Sequence, residues 1–134
     1  MQFLLDTNIC IYYFKGLYNL KEKISEAGYY NFSISEITLA EMIYGAEKSQ
    51  NVSKNNRVID NFIENIDIVP IFGAIRIYGR EKARLRNMGK IISDLDLLIG
   101  ATAISEGMTL VTRNVKEFER MEGIVVENWV DVPN

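Results

Sequence analysis

Short, strongly apolar runs, each parted from the next by one or two stretches of helical spacing, constrain this chain most: Phe3-Leu4-Leu5, residues 31–34, Ile68-Val69-Pro70, Thr109-Leu110-Val111 and Ile124-Val125-Val126. Such runs are too short for buried helices and too uniformly apolar to face water on one side, so they read as strands covered on both faces. Strands of that kind with helices between them make a central, mostly parallel, five-stranded sheet flanked by helices, the α/β class. The helices are expected over 8–14, 20–27 (closed by Gly28), 36–48 (capped by Ser35), 54–65, 74–88 (closed by Gly89), from Ser93 or Asp94 to Glu106, and 115–120. The third should gather Ile37, Ala40, Glu41 and Tyr44 on one face, and the fourth should turn Val58, Ile59, Phe62 and Ile66 inward. With 134 residues and no repeat or Pro/Gly-rich linker, 1–134 is expected to form one domain.

Composition decides what chemistry this scaffold can carry. The chain has no histidine and one cysteine, Cys10. That excludes an intrachain disulfide, the usual zinc ligand sets, Ser-His-Asp and Cys-His nucleophiles, and a histidine acid or base. Carboxylates must do any catalysis, and oxygen donors select hard cations: Mg²⁺ or Mn²⁺, with calcium left open by ligand type alone. Cys10, Tyr12, Tyr13 and Phe14 read most simply as core. No apolar run nears the roughly 18 residues of a membrane span, and the start Met1-Gln2-Phe3-Leu4-Leu5-Asp6 lacks a basic leader. A soluble, cytoplasmic protein is expected.

A net charge of −3 argues against broad electrostatic capture of nucleic acid. Locally the balance reverses, because residues 76–90 hold Arg76, Arg80, Lys82, Arg84, Arg86 and Lys90 against Glu81 alone. Arg76, Arg80 and Arg84 recur every fourth residue and, with Arg86, form a candidate strip for tracking RNA phosphates; a solvated helix face is the competing reading.

Several acids sit where an apolar segment meets a polar turn. Asp6 follows the first strand directly and opens a helix, where either Asp6 or Thr7 can cap. Glu41 lies within an apolar helical stretch, Asp96 in the first turn of another helix, and Glu117 in the polar passage Thr112-Arg113-Asn114-Val115-Lys116-Glu117 after the fourth strand. Each has an ordinary explanation: capping for Asp6 and, more strongly, Asp94, and the helix dipole for Asp96 and Glu117. Together, acids converging beyond the carboxyl ends of parallel strands would repel one another unless a cation neutralised them. A metal site follows from the conjunction.

The residues also resemble a known family. Leu4-Leu5-Asp6-Thr7-Asn8, Glu41 in Ala40-Glu41-Met42-Ile43-Tyr44-Gly45, Asp96-Leu97-Leu98-Ile99-Gly100-Ala101, and Leu110-Val111-Thr112-Arg113-Asn114 before Glu117-Phe118 are similar, in order and spacing, to the PIN-domain ribonucleases, and within them to VapC-type toxins. Gly123 and Val126-Glu127-Asn128-Trp129 extend the likeness over nearly the whole chain. The resemblance implies an Mg²⁺-dependent endoribonuclease, toxin of a toxin-antitoxin pair, forming a homodimer and neutralised by a cognate antitoxin. It implies that Asp6 and Asp96 hold the metal, that Glu41 orients or deprotonates the attacking water, that Glu117 fills the fourth acidic position, and that products carry 5′-phosphate and 3′-hydroxyl ends. Thr7, Asn8, Thr112, Asn114 and Asp94 would support the site. Many relatives have Asp where this chain has Asn114, which leaves the number of metals open.

Other readings make different demands. A receiver-type signalling domain needs a phosphoacceptor Asp at the end of its third strand, and Ile68-Val69-Pro70-Ile71-Phe72 offers none. An RNA-processing nuclease that is not a toxin would keep the same acids. A non-cleaving RNA-binding or partner-binding relative would be expected to have lost them.

Overall fold

The computed structural model describes residues 1–131. The chain runs β1 (Phe3–Leu5), α1 (Thr7–Phe14), α2 (Leu20–Ala27), β2 (Phe32–Ser35), α3 (Glu36–Glu47), α4 (Val52–Ile63), β3 (Asp67–Val69), α5 (Ile75–Asn87), α6 (Asp94–Glu106), β4 (Thr109–Val111), α7 (Val115–Phe118) and β5 (Val126–Glu127). Single turns of 3₁₀ helix precede β2 and α5. Among the described residues no helix is long and apolar enough to cross a membrane.

The five strands lie in the order β3-β2-β1-β4-β5, and every pairing is parallel, so the sheet is parallel throughout rather than mostly so. β1 is central, with Leu4 beside Ser33 of β2 and Leu110 of β4. Alternation along the strand sends Leu4 and Leu110 into one apolar cluster with Leu85, Leu97, Ile99 and Phe118, and Leu5 and Val111 into another with Ile9, Ile24, Ile34 and Met42. Both faces are thus covered, which explains the uninterrupted apolar runs.

The chain winds from β1 outward through β2 and β3, then returns to the other side of β1 to place β4 and β5. The direction of winding reverses between β1 and β4, which opens a crevice beyond their carboxyl ends. Asp6 and Thr112 are the first residues past those ends.

Some local expectations shift. Ser93, not Asp94, caps α6, its hydroxyl oxygen accepting from the Asp96 N–H. The fourth helix begins at Val52, two residues early, because the Asn51 side chain caps it. The inward face of α3 is Thr38, Met42 and Ala46, whereas Ala40 is exposed and Tyr44 is 65% exposed. On α4 only Ile59 is buried; Val58 lies at the surface and Phe62 is half-buried, while Ile66 beyond the helix is buried.

Candidate active site

Asp6 is buried, 3% exposed, with both carboxylate oxygens hydrogen-bonded. Its N–H continues the sheet by donating to the Val111 carbonyl at 2.9 Å. Its Oδ1 accepts from the Thr7 N–H at 2.8 Å and caps α1, and its Oδ2 accepts from the buried Thr112 hydroxyl at 2.8 Å. Thr112 in turn accepts from the Asn114 N–H at 3.0 Å, which turns the chain out of β4 toward α7. Burial raises the Asp6 carboxyl to about 6; the Thr112 and Thr7 bonds oppose that rise, and the charges of Asp96 and Glu41 add to it.

Glu41 reaches Thr7, the neighbour of Asp6, from α3. Its Oε1 accepts from the Thr7 hydroxyl at 2.7 Å, and Thr7 Oγ1 also lies 3.1 Å from Thr38 Oγ1. One hydroxyl carries one proton, so Thr7 donates to the carboxylate and Thr38 supplies the proton of the second contact. Thr38 precedes Glu41 by three positions, so one turn of α3 holds both ends of this chain of bonds. Thr38 has no place in the motif-based expectation; a polar residue at that helical spacing from Glu41 was the available signal.

Asp96, in the first turn of α6, is near enough to Asp6 and to Glu117 of α7 for its charge to raise both of their carboxyls. Burial, then repulsion by Asp96, raises the Glu117 carboxyl, with Arg120 opposing; Asp96 also accepts a hydrogen bond from Glu117 when that group is protonated. Phe118 and Met121, both buried, seat α7 against α6 at Gly100, where a Cβ would collide with the Met121 sulfur and lie 3.3 Å from Phe118 Cδ1. Gly100 is one turn beyond Asp96, so this close approach brings α7 up against the N-terminal half of α6.

Not every expected residue joins the cluster. Asp94 faces away, pairing with Lys82 Nζ at 2.7 Å and accepting from the Tyr78 hydroxyl at 2.9 Å. Positions two apart on a helix point about 200° apart, so Asp94 and Asp96 cannot share a face. Asn114 occupies the N-cap position of α7 but forms no side-chain cap bond. Asn8 Oδ1 is buried and has no hydrogen-bond partner. Arg76, Arg80 and Arg86 are exposed on α5. Arg84 does not line up with them as a free cation, because its Nε and Nη2 bind Glu81 at 2.7 and 2.9 Å.

A family model described as "PIN domain" matches residues 3–124. The chain belongs to the PIN-domain family. It is 41% identical to "Ribonuclease VapC2" of Haemophilus influenzae, over 97% of this chain and 99% of that protein. It is 38% identical to "tRNA(fMet)-specific endonuclease VapC" of Shigella flexneri, over 96% and 98%. A chain of the DNA-bound VapBC crystal structure from Salmonella typhimurium superposes with a TM-score of 0.89 at 36% identity, covering 96% of this chain and 98% of that one.

In this PIN domain the gathered side chains offer oxygen alone, which fits a hard divalent cation and no soft one. Asp6 and Asp96, close enough for one charge to raise the other's carboxyl, are the residues that would hold it. Among the described residues no three or more acids stand close enough together to hold a metal ion by themselves. Replacing Thr7 by valine, which leaves Glu41 without its donor, is expected to lower any cleavage activity about tenfold, as for residues supporting a metal centre, and stability by about 1 kcal/mol. Cleavage at the unmodified rate would show that Glu41 needs no such anchor.

Proposed function

We propose that this PIN domain is a metal-dependent endoribonuclease, the toxin of a type II toxin-antitoxin pair, acting as a single domain over the whole chain. What supports the reading is that Asp6, at the crevice beyond β1, feels the charges of Glu41 and Asp96, and that Glu117 feels the charge of Asp96, in a chain with no histidine to do the chemistry. Asp6 and Asp96 would hold the cation, Mg²⁺ or, as a substitute, Mn²⁺. When bound, the cation supplies Lewis-acid polarisation of the scissile phosphate and offsets the repulsion among the carboxylates. Glu41, one oxygen fixed by Thr7, presents the other to orient the attacking water and accept its proton. Glu117 completes the acidic set beside Asp96.

RNA is the substrate class, and tRNA is the first RNA to try, since the Shigella flexneri relative bears tRNA(fMet) in its name. Arg76, Arg80 and Arg86 are the exposed cations assigned to the RNA backbone. An antitoxin is the protein partner, in keeping with the VapBC chain that this one superposes on. Glu41 lines a cleft of about 460 Å³ with Ile11, Phe14, Met42, Val58 and Ile59, and a partner segment lying there would cover the site. A somewhat larger cleft between α1, α2 and α4, about 550 Å³, contains none of the four acids and takes no part in this reading. The working form is a homodimer in the cytoplasm, where RNA and antitoxin are found.

The deciding experiment incubates the purified chain with tRNA and Mg²⁺. Cleavage giving 5′-phosphate ends, stopped by excess EDTA, is expected; cleavage that persists in EDTA would overturn the metal-dependent reading. A small upstream gene for a DNA-binding protein would support the toxin role, whereas a solitary gene would favour RNA processing.

The rate should also depend on pH. Asp6 must be ionised to bind the cation, and its carboxyl is raised to about 6. At low metal the rate should therefore rise roughly tenfold per pH unit below about 6 and level off above. Higher Mg²⁺ should move the midpoint down, because the cation binds the ionised form. A profile flat from pH 5 to 8 at limiting Mg²⁺ would count against Asp6 as a ligand.

A further inference from the structure

Among the described residues two carboxylates are buried, and the mechanism above uses only Asp6. The other is Glu81 on α5, 1% exposed. Burying an ionised carboxylate costs several kcal/mol unless it is well paired, and Glu81 is paired in full. Its Oε2 accepts from Arg84 Nε at 2.7 Å, and its Oε1 accepts from Arg84 Nη2 at 2.9 Å and from the Glu122 N–H. Arg84 Nη2 also donates to the Arg120 carbonyl at 2.7 Å. Each member of the pair thus grips one backbone group of the turn that follows α7.

That turn has little means of holding itself. α7 is four residues long, too short for intrinsic helical stability, and lacks a side-chain cap. It nevertheless carries Glu117, which stands against the like charge of Asp96. Arg120, whose carbonyl Arg84 holds, donates its own Nη1 to the Ile91 carbonyl at 3.2 Å and is the cation acting on Glu117. The apolar contacts of Phe118 and Met121 press α7 onto α6, but they are non-directional; the Glu81–Arg84 bonds are directional and fix where the turn stops.

We infer that Glu81 and Arg84 are a positioning pair for Glu117: they lock the turn after α7 by its Arg120 carbonyl and Glu122 amide, and so hold Glu117 and Arg120 in register with Asp96. Neither residue touches substrate or cation. The inference rests on the proposed place of Glu117 in the acidic set.

The test crosses Glu81→Gln with Glu117→Gln and reads three quantities in each protein: Mn²⁺ binding by calorimetry without RNA, tRNA cleavage, and thermal unfolding. With Glu117 present, Glu81→Gln should weaken Mn²⁺ binding several-fold and slow cleavage about tenfold, the size expected of a supporting residue. In the Glu117→Gln background it should change neither by more than about 1.5-fold, because residues acting through one another are not additive. Equal losses in both backgrounds, or a fall in unfolding temperature with Mn²⁺ binding and cleavage unchanged, would overturn the inference and leave Glu81 a structural residue. If Glu81→Gln does not fold, Arg84→Lys takes its place, keeping the charge but losing the fork that spans Glu81 and Arg120. Should Glu117→Gln alone leave Mn²⁺ binding and cleavage intact, the role of Glu117 fails and this inference falls with it, whereas failure of the crossed variants alone leaves that role standing.

Discussion

Replacing Asp6 by asparagine should abolish Mg²⁺-dependent RNA cleavage and, in the metal-free protein at pH 7, make the fold more stable. Asparagine keeps the shape and the acceptor for the Thr7 N–H, and the Thr112 hydroxyl can turn to accept from the new amide. What it removes is a buried charge whose carboxyl is raised from 3.8 to about 6. The sign follows from proton counts: between those values the folded protein binds a proton that the unfolded chain has released, so stability falls as pH rises through the window. Above pH 6 the loss is complete and amounts to about 2–3 kcal/mol, at roughly 1.4 kcal/mol per pH unit. Asp6→Asn should recover most of it, raising the unfolding midpoint by several degrees at pH 7 and by nearly nothing at pH 4. Added Mg²⁺ should stabilise the original protein and not the variant. Retained cleavage, or a variant less stable at pH 7 than at pH 4 relative to the original, would contradict this account.

Asp96→Asn should be as damaging to activity and far quieter in stability. Asp96 is the acid common to both sides of the cluster, repelling Asp6 and Glu117 alike. Its loss should slow cleavage by at least about a hundredfold, beyond the roughly 10–100-fold typical of a supporting residue. In the metal-free protein the carboxyls of Asp6 and Glu117 should both move down, read by carbon-13 NMR titration. Relief of that repulsion stabilises the fold, while removing a negative charge from the first turn of α6 costs about 0.3–1 kcal/mol, so the net change should be small. Cleavage within about threefold of the original would remove Asp96 from the site.

Strand positions, caps and the acids at strand ends were legible in the sequence because each is a local signal. Phe3-Leu4-Leu5 can bury two faces only as a central strand, and Ser35 starts a helix by chemistry that its neighbours reveal. The face of α3 was not legible. Ile37, Ala40 and Tyr44 make as good an apolar stripe as Met42 and Ala46, and the choice falls to Thr38, whose buried hydroxyl answers Thr7 from a distant helix. The partners of Arg84 and Asp94 were not legible for the same reason. By residue type alone they are a surface cation and a neighbouring acid; their partners are Glu81, Arg120 and Lys82, and the packing of α5 against its neighbours brings Arg120 to Arg84 and Lys82 to Asp94. Glu81 itself looked like a lone interruption of a basic strip, since nothing in one sequence shows that the Glu122 amide waits for it.

The hydrogen bond from Thr112 to Asp6 joins residues 106 positions apart. In translation Asp6 comes well before β4, Thr112 and α7, the segments that complete its surroundings. A nascent or truncated chain can build β1, β2 and β3 but has nothing to close the crevice or to set Glu117 beside Asp96. A chain cut short before β4 lacks both the Thr112 hydroxyl on Asp6 and the Glu117 carboxylate, and is expected to cleave no RNA.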